Sequence, residues 1–344
     1  MPNPLTPWER LVASAHLEEV DFVQCYLPMR GVTYKRGVEI DLAKRYPESI
    51  NAIRFRGLPG QPDPSFFGAK MDSRNPSADS DWWEPVIKSE EDYDLLEMPD
   101  LRTILNRKVL RLYEGRYERI RDAQKGYKDS IASCSILGPM DFASEMRGYD
   151  RLLADLLRCP QKVHRLFDLI TRVNIEWIEI CQEFLGELGL LTLADHGLTF
   201  LSPRLYPSVL PYWQREFSAA PKDAIKWYHN EGNVTHVLEA VPEMGAEVFH
   251  LGWVDLGLAK RRIGDQVCLC GNLNTTSLLL RGSTEDVYKA AKKALEVAAP
   301  GGGFILSSSG GMAPSTPLEN VDIMYKVATK EGRYPILKGF INRF

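Results

Sequence analysis

A histidine and a carboxylate two positions apart are the residues in this sequence best suited to chemistry. His229 and Glu231 lie in the short, largely apolar run 224–231. Because side chains two apart in a strand point to the same face, an extended conformation would place the imidazole and the carboxylate side by side. Both groups bind zinc, and a Lewis-acid site does not require thiolates. The pair predicts a metal site, and a metal-free His–carboxylate pair is the alternative.

A zinc site needs further ligands or supporting groups, and other apolar runs end in residues of that kind. Asp195 and His196 stand at the end of the run 188–195, and His250 stands in the next run after the His–carboxylate pair. Asp195 could be a ligand, a general acid or base, or only the cap of the following loop. We expect Asp195 and His250 to complete or support the site, and His196 to contact the substrate.

Three polar side chains alternate along the run 266–272. Cys268, Cys270 and Asn272 would share one strand face, so Cys270 lies one layer below Asn272. We interpret the two cysteines as buried side chains that fill the protein interior, and a metal ligand at Cys270 is the alternative. Asn272 is expected to be catalytic by donating a hydrogen bond to a substrate oxygen, unless it only forms a turn.

Tryptophans near these residues suggest walls for a planar substrate. Trp227 shares the strand face of the His–carboxylate pair, and Trp253 follows the next apolar run. Trp82 and Trp83 end the segment 57–83, whose Gly, Pro, Ser and Asp content predicts a long loop. We expect Trp227, Trp253 and Trp83 to bind substrate, and the loop to be a lid, with ordinary packing and a surface insertion as the alternatives.

Short apolar runs and helical patterns alternate along the chain and must position these side chains. This alternation predicts repeated βα units with a parallel sheet. Six runs lie in the last two thirds and two candidates precede them, and eight strands would close an α/β fold of the (β/α)8 TIM barrel type. The strands are predicted at 21–26, 50–55, 130–137, 188–195, 224–231, 246–251, 266–272 and 303–309. The helices are predicted at 161–185, 203–219, 234–244, 255–263 and 284–298.

Composition narrows the possible partners and locations. The 344 residues carry a net charge of −4 with acidic and basic residues interspersed, which argues against binding to nucleic acid or to an anionic membrane. No apolar run approaches the roughly 20 residues that span a bilayer, and the first residues do not resemble a signal peptide. The six cysteines are scattered, as in proteins with free thiols. We expect one cytoplasmic domain over residues 1–344.

Four longer motifs indicate a protein family. They read SILGPMDFASEMRGYDRLLADLLRCPQKVHRLFDLI at 135–170, LADHGLTFLSPRLYPSVLPY at 193–212, CGNLNTTSLLLRGSTEDV at 270–287 and PGGGFILSSSGGMAPSTPLENV at 300–321. In order and spacing they resemble the uroporphyrinogen decarboxylase superfamily over about residues 84–330. The resemblance implies a (β/α)8 barrel with its active site at the carboxyl ends of the strands.

That superfamily includes two main chemistries, and the resemblance implies one of them here. The first is metal-free decarboxylation of uroporphyrinogen. The second is methyl transfer to or from a corrinoid protein, usually with zinc at the barrel mouth. The decarboxylases carry Arg-Gln-Ala-Gly-Arg-Tyr-Leu-Pro, whereas QCYLPMRGVTYKRG at 24–37 lacks the two arginines before Tyr26-Leu27-Pro28. Gly310 also replaces their C-terminal histidine, so a metal-free lyase is the alternative rather than the main hypothesis.

The thiol-methylating members of the superfamily hold zinc with His-x-Cys and a later Gly-Cys-Gly turn. His229 matches the histidine, Glu231 replaces the first cysteine, and Gly310 replaces the second. A harder N/O site suits an ether oxygen better than a thiol. The sequence therefore predicts a zinc-dependent demethylase that passes a methyl group from a small donor, plausibly a methoxylated aromatic, to a corrinoid protein. No corrinoid-binding Asp-x-His-x-x-Gly motif occurs, so that protein would be separate; a non-catalytic ligand-binding barrel is a further alternative.

Overall fold

A computed structural model describes residues 4–28, 33–34, 38–39, 41–58, 60–70, 84–108, 130–313 and 315–336. Trp82 and Trp83 lie outside the described residues, so the substrate contact expected at Trp83 stays a prediction. Of the loop predicted at 57–83, the structure describes 57–58 and 60–70, with a single 3-10 turn at Pro64–Phe67. The lid function of this loop is likewise still a prediction.

Parallel strands and helices alternate along the described residues in the (β/α)8 TIM barrel fold predicted from the sequence. The eight strands of the main sheet are β1 (Gln24–Tyr26), β4 (Arg54–Arg56), β5 (Ser130–Leu137), β6 (Leu190–Ala194), β7 (Ile225–Asn230), β8 (Val248–Leu251), β9 (Cys268–Leu273) and β10 (Phe304–Ser308). A separate antiparallel pair consists of β2 (Thr33–Tyr34) and β3 (Val38–Glu39). The described α-helices are Pro7–Ala15, Leu42–Arg45, Leu101–Lys108, Pro139–Arg147, Tyr149–Arg158, Pro160–Leu185, Tyr206–Ser218, Ala240–Glu243, Leu256–Ile263, Thr284–Ala298 and Leu318–Lys326.

The chain divides into two compact units, each with its own strands. The first consists of Met1–Arg54, Leu198–Pro203 and Ile225–Phe344, and the second of Phe55–Gly197 and Arg204–Ala224. In the first unit β1, β10, β9, β8 and β7 pair in parallel in that order. In the second unit β5 pairs in parallel with β6. The organisation as one domain over 1–344 stays a prediction.

Buried apolar residues explain why these segments fold as they do. All five residues of β10 are buried, as expected for a parallel strand covered on both faces. The long helix Pro160–Leu185 begins with the proline that favours a first turn. It buries one stripe at three- and four-residue spacing, formed by Val163, Leu166, Phe167, Ile170, Val173, Trp177 and Ile180. Among the described residues, no helix is long and apolar enough to cross a membrane.

Three predicted elements differ in the structure. The strand predicted at 21–26 is limited to β1. The strand predicted at 50–55 starts with a 3-10 turn because the Asn51 side chain bonds both backbone groups of Leu27, donating to the carbonyl at 2.7 Å and accepting from N–H at 2.9 Å. The helix predicted at 234–244 is reduced to Ala240–Glu243 after a turn, because Pro242 has no N–H for an upstream carbonyl.

Candidate active site

His229 and Glu231 lie side by side at the carboxyl end of β7. His229 belongs to the strand and Glu231 follows its last residue. The Nε2 atom of His229 is 3.4 Å from Oε1 of Glu231. The imidazole is 21% exposed and the carboxylate side chain 45% exposed. The juxtaposition predicted from the two-residue spacing is therefore present, and solvent reaches it.

The turn after β10 accommodates the Glu231 carboxylate. The backbone N–H of Gly311 donates to Oε1 of Glu231 at 3.0 Å. A Cβ atom at Gly310 would lie 2.4 Å from the Glu231 carboxyl carbon, closer than any real contact. Positions 231 and 310 are those at which this sequence departs from the zinc-binding motif of the thiol-methylating members. In the structure the two departures lie against each other, and the Glu231 carboxylate occupies space that a side chain at 310 would need.

His250 on β8 fixes the orientation of His229. The register of β7 and β8 sets the two residues opposite each other, and their Nδ1 atoms are 2.8 Å apart. Nε2 of His250 lies 3.0 Å from the carbonyl oxygen of Ser308. Burial, followed by the nearby charge of His229, lowers the pKa of His250 to about 3. His250 is therefore a neutral imidazole at physiological pH.

The bond to Ser308 determines where the protons of both rings lie. A carbonyl only accepts, so Nε2 of His250 carries the proton and donates it to Ser308. Nδ1 of the neutral His250 must then accept, and Nδ1 of His229 must donate to it. When His229 is neutral, its proton is on Nδ1 and the lone pair is on Nε2, the nitrogen nearer the Glu231 carboxylate.

An imidazole lone pair beside a carboxylate is stabilised by a cation or by a further proton. Two ligands at about 2.0–2.2 Å from a tetrahedral zinc ion lie roughly 3.3–3.6 Å apart. The 3.4 Å between His229 Nε2 and Glu231 Oε1 falls in that range. The donor set thus fits two zinc ligands, and protonation of His229 is the competing way to stabilise the pair.

A third protein ligand does not join this pair in the described residues. Within the part of the chain that the structure describes, the potential metal ligands Glu90, Asp155 and Cys159 lie within 4.8 Å of one another. This group does not include His229 or Glu231. Asp155 already accepts Arg147 Nε and Arg158 Nη2, each at 2.7 Å, so guanidinium groups supply the positive charge at that cluster.

Cys270, the alternative metal ligand, and its strand neighbour Cys268 are fully buried, and burial raises the pKa of both thiols, that of Cys268 to about 12. Their thiolate forms, which bind metal, are therefore disfavoured. This agrees with the interpretation that they fill the interior.

Asp195, which follows β6, is surrounded by hydrogen-bond donors. Its carboxylate accepts the backbone N–H groups of Met140, Asp141 and Gly197 at 2.9–3.2 Å, and the indole N–H of Trp213 at 2.7 Å. Two of these donors belong to the first turn of the helix Pro139–Arg147, so Asp195 caps that helix from another strand. Burial raises the pKa of its carboxyl to about 8, against the effect of these hydrogen bonds. The capping alternative accounts for its contacts, and a catalytic role stays a prediction.

His196 forms a chain of polar contacts with Asp141 and Tyr149 that was not predicted from the sequence. Its Nδ1 lies 2.7 Å from Oδ2 of Asp141, and the hydroxyl of Tyr149 donates to the other oxygen of Asp141. Burial opposes the charge of Asp141, but the interactions with His196 and Tyr149 lower its pKa below the ordinary value. His196 is 40% exposed and Asp141 11% exposed. The acidic residue in the first turn after Gly138-Pro139 was the available signal.

Of the two described tryptophans that were expected to bind substrate, one is buried and one is exposed. Trp227 is 6% exposed and packs edge to face on Tyr26, with ring centroids 5.4 Å apart. Trp253 is 67% exposed. Asn272 donates both amide hydrogens to backbone carbonyls, to Gly252 at 2.8 Å and Val254 at 2.6 Å. Its predicted donation to a substrate oxygen would require breaking one of these bonds.

Comparisons with known proteins agree with the fold and the motifs. The family model described as Uroporphyrinogen decarboxylase (URO-D) matches residues 65–331. The uroporphyrinogen decarboxylase of Coxiella burnetii (strain RSA 493 / Nine Mile phase I) is 39% identical over 176 residues, which cover 49% of this chain and 47% of that protein. The "Methylcobamide:CoM methyltransferase MtaA" of Methanosarcina barkeri (strain Fusaro / DSM 804) is 32% identical over 202 residues, 57% of each chain. The chain thus spans about half the length of the curated relatives it matches.

A solved structure, described as a methyltransferase from Methanosarcina mazei, superposes with a TM-score of 0.71 over 95% of this chain and 99% of that one, at 21% identity. At this identity the likeness bears on the fold alone. The sequence relatives include both decarboxylases and corrinoid methyltransferases. The family model covers more than half of this chain, and the chain therefore belongs to the uroporphyrinogen decarboxylase (URO-D) family.

Proposed function

We propose that this protein is a methyltransferase that moves a methyl group from a small methylated donor, such as a methoxylated aromatic, to a corrinoid on a separate protein. The observation that carries the proposal is the 3.4 Å separation between Nε2 of His229 and Oε1 of Glu231. This arrangement favours a cation over a neutral ligand. The relative whose name includes a methylcobamide supports a corrinoid as the partner in methyl transfer, and the direction of transfer proposed here rests on the ligand set.

His229 and Glu231 would hold zinc, with water and the donor in the remaining positions. When bound there, zinc would act as a Lewis acid that draws electron density from the donor oxygen. The ligand set is one nitrogen and one carboxylate oxygen, without a described thiolate, and such a hard set suits an ether oxygen. The methyl–oxygen bond would break with its electron pair kept by the oxygen, and the electron pair for the new bond to the methyl carbon would come from the reduced corrinoid, cobalt(I), of the partner protein.

The surrounding residues keep the pair in this state. The Ser308 carbonyl and His250 hold the proton of His229 on Nδ1, which leaves Nε2 as the ligand atom. The Gly311 N–H holds one oxygen of Glu231. Because both ligands are oriented before the donor arrives, little rearrangement is needed on binding. A catalytic role for Asp195 and a substrate contact at His196 stay predictions.

Metal analysis tests this proposal most directly. Purified wild-type protein should contain zinc in a 1:1 ratio, and Glu231→Ala should lose it. The control Glu285→Ala removes an exposed carboxylate that pairs with Lys289 on a surface helix, and it should keep the metal. The rate of demethylation of 2-methoxyphenol should be proportional to the zinc content. Methylation of reduced free cobalamin measures this rate. Wild-type protein without metal, or efficient methylation of a thiol with no action on methyl ethers, would contradict the proposal.

A metal-free lyase is the second candidate, favoured by the 39% identity to a uroporphyrinogen decarboxylase. The chain of His196, Asp141 and Tyr149 offers a proton-transfer group that needs no metal. An enzyme of this kind should turn over its substrate in the presence of a chelator and without cobalamin. The replacement of the decarboxylases' histidine by Gly310 argues against uroporphyrinogen itself as the substrate.

A further inference from the structure

The short loop after β8 carries an exposed tryptophan between two fixed carbonyl groups. Trp253 is 67% exposed, whereas its neighbours Gly252 and Val254 are buried. Asn272 on β9 donates one amide hydrogen to the Gly252 carbonyl at 2.8 Å and the other to the Val254 carbonyl at 2.6 Å. One side chain therefore holds the backbone on both sides of the indole.

Backbone contacts attach the same loop to the proposed metal ligand. The N–H of Trp253 donates to the carbonyl of Gly232 at 3.3 Å, and Gly232 directly follows Glu231. A Cβ atom at Gly252 would lie 1.9 Å from the carbonyl oxygen of Glu231, so only glycine permits this approach. The backbone of Trp253 is thus bonded to the residue that directly follows Glu231 in the sequence.

The backbone that carries the Trp253 indole is fixed, while the indole itself is exposed. Trp227 on the adjacent strand differs, because its ring is buried against Tyr26. The apolar face of Trp253 is therefore accessible to an incoming ligand. A flat aromatic ring is the ligand that an indole face stacks on best.

We propose that Asn272 is a positioning residue that holds Trp253 as the stacking face for the ring of the methyl donor. The inference rests on the proposed function and narrows its substrate class to planar methoxyarenes, as opposed to aliphatic methyl donors. Asn272 acts through the loop and does not itself need to touch the donor.

Binding of two probes of similar size tests this inference by calorimetry. The probes are 2-methoxyphenol, which is planar, and methoxycyclohexane, which is not. W253A should weaken 2-methoxyphenol binding roughly 2- to 10-fold, the range for an aromatic contact, and leave methoxycyclohexane unchanged. W253F should keep most of the affinity. Tyr288→Ala, a control on the surface helix Thr284–Ala298, should bind both probes as the wild type does.

A double-mutant cycle tests the positioning role of Asn272. N272D keeps the size of the side chain but loses the two donors, so it should weaken 2-methoxyphenol binding as W253A does. The double variant should be no weaker than W253A alone, since both changes act on one contact. Near-UV circular dichroism identifies any variant that fails to fold, and W253F then remains as the test.

The outcomes separate this inference from the proposed function because zinc content is measured on every variant. Unchanged affinity in W253A, an equal loss for both probes, or a larger loss in N272D than in W253A would overturn the inference. So would a wild-type protein that holds zinc but binds no methoxyarene, in which case methyl transfer from another donor still stands. Trp253-dependent binding by a protein without zinc would support the inference and contradict the metal site.

Discussion

β6 and β7 both end beside a histidine and an acidic residue, but different groups surround the two carboxylates. Asp195, after β6, accepts four N–H groups and is fully buried. Glu231, after β7, accepts one backbone N–H from Gly311, faces the Nε2 atom of His229, and is 45% exposed. Hydrogen-bond donors surround the Asp195 carboxylate. The Glu231 carboxylate instead faces an imidazole nitrogen, and two such groups side by side favour a cation. Equal residue types at equivalent strand ends therefore do not imply equal roles.

The largest expected effect is on folding and concerns the β6 end. Asp195→Ala would leave buried N–H groups of Met140, Asp141, Gly197 and Trp213 without their acceptor. We expect the free energy of unfolding to fall by about 4 kcal/mol, measured by urea denaturation. Glu231→Ala, on the exposed carboxylate, should lose less than about 1 kcal/mol. Equal losses in the two variants would remove the distinction drawn between the strand ends.

The next effect concerns the space that Glu231 occupies. Gly310→Ala places a methyl group 2.4 Å from the Glu231 carboxyl carbon and should displace it. We expect zinc affinity to fall roughly 10- to 100-fold in competition with a chromogenic chelator. Gly311→Ala is the control for a methyl group in the same turn, because a Cβ atom there has no neighbour within 4 Å and the N–H to Glu231 is kept. Urea denaturation of Gly310→Ala separates the clash with Glu231 from backbone strain, since φ at Gly310 is +158°. The same loss in both glycine variants would contradict the steric explanation.

A smaller effect is expected from the residue behind His229. His250→Phe keeps a buried ring but removes the acceptor for the Nδ1 proton of His229. The imidazole can then rotate or change tautomer, and zinc affinity should fall about 10-fold. Titration with zinc measures this affinity. The control is His236→Phe, because His236 is bonded to the Leu201 carbonyl and not to His229. Unchanged affinity would show that His250 does not fix the ligand.

The mildest test concerns a buried acid of the second unit. Burial raises the pKa of Glu216 to about 8, although Asn174 donates to it at 2.8 Å. The folded state therefore keeps a proton that the unfolded state loses above about pH 4.5, so stability falls as pH rises from there through 8. Between pH 6 and 8 the wild-type melting temperature should fall by a few degrees more than that of Glu216→Gln, in calorimetry. Identical pH profiles would show that Glu216 is ionised in the fold.

The sequence was sufficient for the barrel, mainly through the motifs that resemble the family, and for the pair at β7, through strand periodicity. Strand periodicity alone places His229 beside Glu231, and six apolar runs match the strands β5 to β10. The partners of these residues come from distant segments: the register of β8 brings His250 to His229, and a helix start about 55 residues upstream surrounds Asp195. No local pattern encodes such pairings. The turn at Ile50–Ala52 was missed for the same reason, since Leu27 stabilises it from far along the chain.

The crowding between position 310 and the Glu231 carboxylate makes the turn after β10 a control point for the pair at β7. The carboxylate is the half-exposed end of a flexible side chain, so a larger residue at 310 would be accommodated by turning the acid towards solvent. That rotation would move Oε1 of Glu231 away from Nε2 of His229. A change in one strand's turn would thus act on the chemistry at the end of another strand.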